Sequence, residues 1–257
     1  ASSASGFAAI AFAFGQLFHL PEKEVVRLAR LGSGSACRSI LGGFVHWKAG
    51  FNEWDSTCES LFPSTHWPNL RAVIIVCSTT EKDIGSTVGM KASLATSSFM
   101  RTRVEEDVPV RVKELISAVE YRNFRQLAEI TMRESDQLHA ICLDTWPPLL
   151  YLNESSRQIM RFVHAFNAHF GTCLAYTFDA GPNAILLMED ETFPIFMQTF
   201  VKACDFKLPK SIHGSSHSEN IGLESDMPKL FPEPIQVDIR DMFGDAQQTG
   251  HFNEFSM

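Results

Sequence analysis

From Phe7 to Phe18 almost every position is apolar, with Gly15 and Gln16 as the exceptions, a pattern that predicts a helix buried on most sides. The small residues Ala1-Ser2-Ser3-Ala4-Ser5-Gly6 would form its N-terminal turn. Pro21-Glu22-Lys23-Glu24 opens a second helix, with proline in the first turn and acids at the positive end of the dipole. It runs through Val25, Val26, Leu28 and Ala29 into the segment Arg30 to Ser39. Strands are predicted over 43–48 and 71–78, the second around the unbroken apolar run Ala72-Val73-Ile74-Ile75-Val76. Residues 52–69 hold turn formers and aromatics without a period and read as loop. Helical patterns cover about 88–101, 105–121, 123–143 and 153–170, and Pro147-Pro148 separates the last two. Strands over 175–179 and 184–188 follow, joined by the tight Ala180-Gly181-Pro182-Asn183, and then a helix near 192–204. A loose, Ser/His/Gly/Pro-rich excursion over about 207–230 and a final strand at 235–239 complete the pattern.

Strands near the start, helices in the middle and strands again near the end predict an α+β protein with two lobes, divided into residues 1–68 and 69–257. A chain of 257 residues that is 45% hydrophobic can bury one large core or two smaller ones. With 22 basic against 30 acidic residues and no Lys/Arg-rich run, nucleic acid is excluded as an expected partner. No apolar stretch reaches the ~20 residues needed to cross a bilayer, so no membrane association is expected. The six cysteines lack CxxC pairs, which fits reduced thiols in a cytoplasmic protein. The opening passes at once into an apolar helix with no initiator methionine, and the expectation is that residues precede it.

Four segments are candidates for chemistry. Residues 1–6, small and polar at a helix start, are either an ordinary cap or an anion site in which serine hydroxyls meet phosphate oxygens or Mg²⁺. Gly32-Ser33-Gly34-Ser35-Ala36-Cys37-Arg38-Ser39 interrupts a helix with glycines that cost ~1 kcal/mol each relative to alanine. Either the glycines permit close helix packing, or Ser33 and Ser35 donate to phosphate while Arg38 grips a carboxylate in two-pronged fashion. Gly85-Ser86-Thr87-Val88-Gly89 precedes a helix and is either a capping turn or an anion site. Asp179, at the end of an apolar strand and before a Gly-Pro turn, is either a turn former or a carboxylate aimed into a cleft. His164 and His169 are five apart and do not share a helix face, His46 and His139 stand alone, and none is taken as a metal ligand.

Taken in order, these segments resemble one family. Ala1-Ser2-Ser3-Ala4-Ser5-Gly6-Phe7-Ala8-Ala9 is similar to the tail of the Pro-x-x-x-Gly-Leu-Ala-Ser-Ser-Ala phosphate loop of the GHMP kinase superfamily. The run Arg30 to Ser39, with Gly42-Gly43-Phe44-Val45 and Trp47 after it, resembles the hallmark of diphosphomevalonate decarboxylases. So do Gly85 to Met90, His139-Ala140-x-Cys142-Leu143-Asp144-Thr145, Phe166-Asn167-Ala168-His169 and Tyr176 to Ala184. The likeness covers roughly residues 1–205, and the ending from Pro232 to Met257 departs from the family's Gly-Pro-rich final strand.

The resemblance implies a GHMP-kinase-like fold with an incomplete N-terminal lobe and a ferredoxin-like C-terminal lobe, the chain starting inside the phosphate loop. It implies ATP-dependent decarboxylation of diphosphomevalonate to isopentenyl diphosphate, in a cytoplasmic homodimer using ATP and Mg²⁺. Ser2, Ser3 and Ala4 would cradle the ATP phosphates, with Ser3 a possible Mg²⁺ contact. Ser33, Ser35, Ser86 and Thr87 would bind the substrate diphosphate, Arg38 the carboxylate, and Asp179 the tertiary hydroxyl as general base. The alternatives are a sibling GHMP small-molecule kinase or a non-catalytic remnant with a binding or dimerisation role.

Overall fold

A computed structural model describes residues 2–203 except 53, 79, 81 and 82. The expected excursion at 207–230 and strand at 235–239 lie outside the described residues, as does Ala1. The chain divides into two compact units at Pro68/Asn69.

In the first unit, α1 (Ser2–Phe18) and α2 (Glu22–Gly32) lead into a 3-10 segment, Gly34–Ser39, and a hairpin of β1 (Phe44–Trp47) with β2 (Cys58–Phe62). The first helix departs from expectation. Its buried residues are Ala8, Ala11 and Gly15, a stripe of its smallest side chains at i, i+3 and i+7. That stripe lets α2 close in, and Ala8 and Ala11 join Val25, Ala29 and Ala36 in one cluster. The large side chains turn outward, with Phe12 54% and Leu17 70% exposed. The second correction concerns 52–69, expected as loop but holding β2 and a short 3-10 turn, Ser64–His66. Asp55 organises the connection, its carboxylate accepting from the Phe51 and Asn52 amides, and so brings Cys58 opposite Trp47. At the hairpin's start Gly43 has φ +81°, and a Cβ there would meet the Phe62 carbonyl.

The second unit carries a three-stranded antiparallel sheet in the order β3 (Leu70–Ile75), β5 (Ala184–Glu189), β4 (Leu174–Phe178). First and second strands flanking the third is the start of a split β-α-β-β-α-β arrangement. The crossover holds α3 (Ser86–Thr96), α4 (Phe99–Thr102), a π turn (Arg103–Asp107), α5 (Val108–Glu120), α6 (Phe124–Asp144) and α7 (Glu154–Phe170), and α8 (Phe193–Ala203) follows β5. The helix expected at 88–101 thus starts earlier and is broken at Ser97-Ser98. Asp144 makes the break, its Oδ2 accepting from Ser97 Oγ and from the Ser98 and Phe99 amides. The helix expected from 105 becomes regular only at Val108, after the π turn.

The core of this unit is dense. Leu127, Ala128, Ile159, Phe162, Val163, Phe166, Leu174, Tyr176 and Phe196 are completely buried. Phe162 meets Phe166, Phe196 and Phe200 at ring-centroid separations of 5.8, 6.2 and 5.2 Å.

Candidate functional site

In the first unit, α2 ends at Gly32 because Ser33 turns to extended backbone (φ −152°, ψ 124°), and the chain re-enters helix as a 3-10 segment. Both readings of the glycines bear on this point. A Cβ at Gly32 would run into the Phe7 ring, and one at Gly34 would come within 3.1 Å of Trp47 Cη2. The glycines are there for packing, while Ser33 and Ser35 keep half-buried side chains on the same turn.

Arg38 is shaped by the hairpin. Trp47 Nε1 donates to Ser56 Oγ at 3.0 Å, which fixes the indole, and the Arg38 guanidinium lies 5.9 Å from its ring centroid. Arg38 Nε is buried with no hydrogen-bond partner among the described residues. A buried donor left in this way costs ~1–3 kcal/mol, which an anionic ligand would offset. Ala4 packs against the cluster that contains Ala36, so the first turns of α1, with exposed Ser3, belong to the same packed unit as Ser33, Ser35 and Arg38. Of Ser2 only its helical backbone is described.

Cys37 and Cys58 complete this neighbourhood, the Cys58 thiol donating to Cys37 Sγ at 3.1 Å and Cys37 Sγ donating to the Gly34 carbonyl at 3.0 Å. The Cys58 hydrogen bond, with the cations of Arg38 and Arg30, lowers the Cys37 thiol against the opposing effect of burial. Donating to Cys37, together with burial, raises Cys58.

In the second unit, Gly85 caps α3 in extended backbone, and Ser86 and Thr87 occupy its first turn with exposed side chains. Gly89 faces Tyr151 and Leu149, which seats that turn closely. Asp179 follows β4 and is exposed, so within its own unit it is not enclosed. The loop bearing it is nonetheless held from three sides. Ser135 of α6 accepts from the Phe178 amide at 3.0 Å, and Ser156 of α7 donates to the Pro182 carbonyl at 2.9 Å. Asn183 Oδ1 accepts from the Cys77 and Ser78 amides just past β3, at 2.8 and 3.0 Å.

Sequence reasoning set His139 aside as solitary, yet it sits one helical turn beyond Ser135 against the same loop. Burial pushes its imidazole below the ordinary histidine range, opposed by a bond to the Phe178 backbone and by the charges of Asp136 and Asp179. Its Nε2 is buried without a partner among the described residues. The i, i+4 spacing of Ser135 and His139 was the available signal. His164, also set aside, reaches Tyr176 Oη at 3.2 Å, and Tyr176 donates to Asp136 at 2.9 Å.

Chemically, the first unit offers a helix start, two hydroxyls and a half-buried guanidinium, all suited to anions. The second offers hydroxyls at another helix start and a carboxylate on a tethered loop. No helix among the described residues is long and apolar enough to cross a membrane.

Residues 72–243 match the family model for the mevalonate 5-diphosphate decarboxylase C-terminal domain, and residues 1–58 that for the diphosphomevalonate decarboxylase-like N-terminal domain. The chain is similar to Homo sapiens diphosphomevalonate decarboxylase, at 47% identity over 243 residues, covering 93% of this chain and 58% of that protein. Among solved structures, mevalonate diphosphate decarboxylase from Trypanosoma brucei superposes with a TM-score of 0.77 at 42% identity, covering 81% of this chain and 56% of the other. MDDEF in complex with MVAPP, AMPPCP and magnesium superposes with a TM-score of 0.73 at 35% identity, covering 79% and 62%. The chain thus spans 56–62% of the length of these relatives. With one family model alone matching most of its residues, this chain belongs to the mevalonate diphosphate decarboxylase family and has that family's mixed α and β, GHMP-kinase-type fold.

Proposed function

We propose that the protein serves ATP-dependent decarboxylation of (R)-5-diphosphomevalonate to isopentenyl diphosphate, with release of ADP, phosphate and CO₂, in isoprenoid and sterol biosynthesis. The observation that carries this reading is Arg38, whose guanidinium is braced by Trp47 with a buried, unpartnered Nε among the described residues, beside Ser33 and Ser35. A rigid guanidinium next to hydroxyls suits a substrate bearing a carboxylate at one end and a diphosphate at the other.

In this reading residues 1–68 are the remainder of an ATP- and substrate-binding domain, and 69–257 the C-terminal domain. Arg38 holds the C1 carboxylate aligned, while Ser33, Ser35, Ser86 and Thr87 receive the diphosphate. Asp179 takes the proton of the tertiary hydroxyl as that oxygen attacks the γ-phosphorus of ATP, in a step dominated by positioning and charge stabilisation. Loss of the new phosphate leaves positive character at C3, which the Asp179 carboxylate stabilises while the carboxylate held by Arg38 leaves as CO₂. The N-terminal turn of α1, with Ser2, Ser3 and Ala4, fits the ATP phosphates, because its first amides lack helical partners and Ser3 exposes an oxygen donor. Mg²⁺ held near Ser3 would neutralise phosphate charge, as hard oxygen ligands allow. The same reading makes the protein a cytoplasmic homodimer, which sedimentation would check.

The test incubates the chain with ATP, Mg²⁺ and diphosphomevalonate and measures CO₂ against ADP. Equal yields support the reading, and ADP without CO₂ would assign a sibling kinase instead. Asp179→Ala is expected to lower turnover by ~10²–10⁴-fold.

A further inference from the structure

We propose that Cys37 and Cys58 are a modification site at which a hydroperoxide forms a reversible disulfide, stapling the 3-10 segment that carries Arg38 to strand β2. The warrant is a juxtaposition that the sequence spacing hides. The two thiols are 21 residues apart on different elements, yet their sulfurs lie 3.1 Å apart in hydrogen-bond contact. Cys37 is completely buried on the 3-10 segment, whereas Cys58, on β2, is only half-buried. A small, water-sized oxidant therefore meets Cys58 first.

The chemistry closes without a further reactant. Cys58 Sγ attacks one peroxide oxygen as its own proton is released to the departing oxygen. The O–O bond breaks, and the departing hydroxide takes the Cys58 proton and leaves as water. Cys58 is then a sulfenic acid, the first oxidised state of a thiol. Cys37 Sγ attacks the Cys58 sulfur, the S–O bond breaks, and the second hydroxide leaves as water with the Cys37 proton. Two thiols have lost two electrons to the peroxide, which yields two waters.

Electrostatics favours Cys37 over the other described thiols, while Cys58, raised by donating to Cys37 and by burial, is the first to react by its greater exposure. The Cys37 thiol is lowered by the Cys58 hydrogen bond and by the Arg38 and Arg30 cations, which equips it as the resolving nucleophile. Burial instead raises Cys77 to about 11 and also raises Cys142 and Cys173. Closing the sulfurs from 3.1 Å to a bonded ~2.05 Å requires a movement of ~1 Å between the two side chains. Arg38 adjoins Cys37, and Trp47, which braces it, is the cross-strand neighbour of Cys58. Oxidation therefore acts on the guanidinium from both sides.

The site stands whether or not the proposed catalysis does, and its test needs no turnover. The full chain is treated with hydrogen peroxide, alkylated in denaturant, digested without reduction and mapped by mass spectrometry. The expected product is a Cys37–Cys58 linked peptide pair, lighter than the separate peptides by two hydrogens and released by dithiothreitol. In Cys58→Ser, whose hydroxyl can still donate to Cys37, Cys37 should remain alkylatable under the same treatment. Folded wild-type protein in which both cysteines stay reduced, or Cys58 passes to the sulfinic acid with no linked peptide, would overturn the proposal. Mapping of wild-type protein alone decides the matter if the variant does not fold.

Discussion

Helices α1 and α7 are both 17 residues long, and they teach opposite lessons about hydrophobic sequence. The first is apolar almost throughout yet buries only Ala8, Ala11 and Gly15 and exposes Phe7, Ile10, Phe12, Phe14, Leu17 and Phe18. The second carries charges and amides along its length and buries Ile159, Phe162, Val163 and Phe166 completely. Those four positions follow i, i+3, i+4, i+7, so they form one stripe against β4 and α8. Burial tracks placement opposite a partner, and apolar content by itself does not.

Substitutions can break or sharpen that contrast. Phe162→Ala should cost ~3–5 kcal/mol, because it removes a ring enclosed by three others and leaves a cavity. Urea unfolding followed by circular dichroism would check it, and a loss under ~1 kcal/mol would mean that the stripe can collapse. Asn153→Ala should cost ~1 kcal/mol, since Asn153 caps α7 by accepting from the Ser156 amide while the Ser156 hydroxyl returns the bond. The same titration applies, and helix α1 has no comparable described cap to lose.

A smaller effect distinguishes the two helices by pH. No side chain along α1 titrates, whereas the second unit holds His139 with its imidazole lowered from 6.5 by burial. Below pH ~6.5 the unfolded chain takes up a proton that the folded chain refuses, so stability falls as pH falls until the folded group titrates. Thermal melts between pH 7 and 5.5 should show a shallower decline in His139→Gln than in wild type, and equal declines would remove His139 from the account. The smallest change is expected at Phe12→Ala, within ~0.5 kcal/mol, because its ring is already in solvent. A loss as large as that of Phe162→Ala would show that α1 has apolar neighbours beyond those described.

Much of the second unit was legible because its strands and helices repeat with the right period. The run 72–76 marks β3, and the pattern from 123 to 143 marks α6, displaced by one residue from the observed Phe124–Asp144. What escaped depends on tertiary partners. Strand β2, Cys58-Glu59-Ser60-Leu61-Phe62, has no β-branched residue and owes its pairing to the Asp55-held connection. The break at Ser97-Ser98 comes from Asp144, which lies 46 residues away from Ser98. The 3-10 segment was marked by its glycines, but that Phe7 and Trp47 are what those glycines admit cannot be read along a line. His139 stands alone along the chain, and its bond to the backbone of Phe178 is made only in the fold.

The loop that carries Asp179 has a consequence for the freedom of that carboxylate. With Phe178 tied to α6, Pro182 to α7 and Asn183 to the chain beyond β3, the backbone on either side has few torsions left to vary. The amide of Gly181, bonded to the Asp179 carbonyl at 2.7 Å, takes up another. The two torsions of the aspartate side chain then define a small arc, and whatever meets this carboxylate must come to that arc, since the loop is tethered against following it.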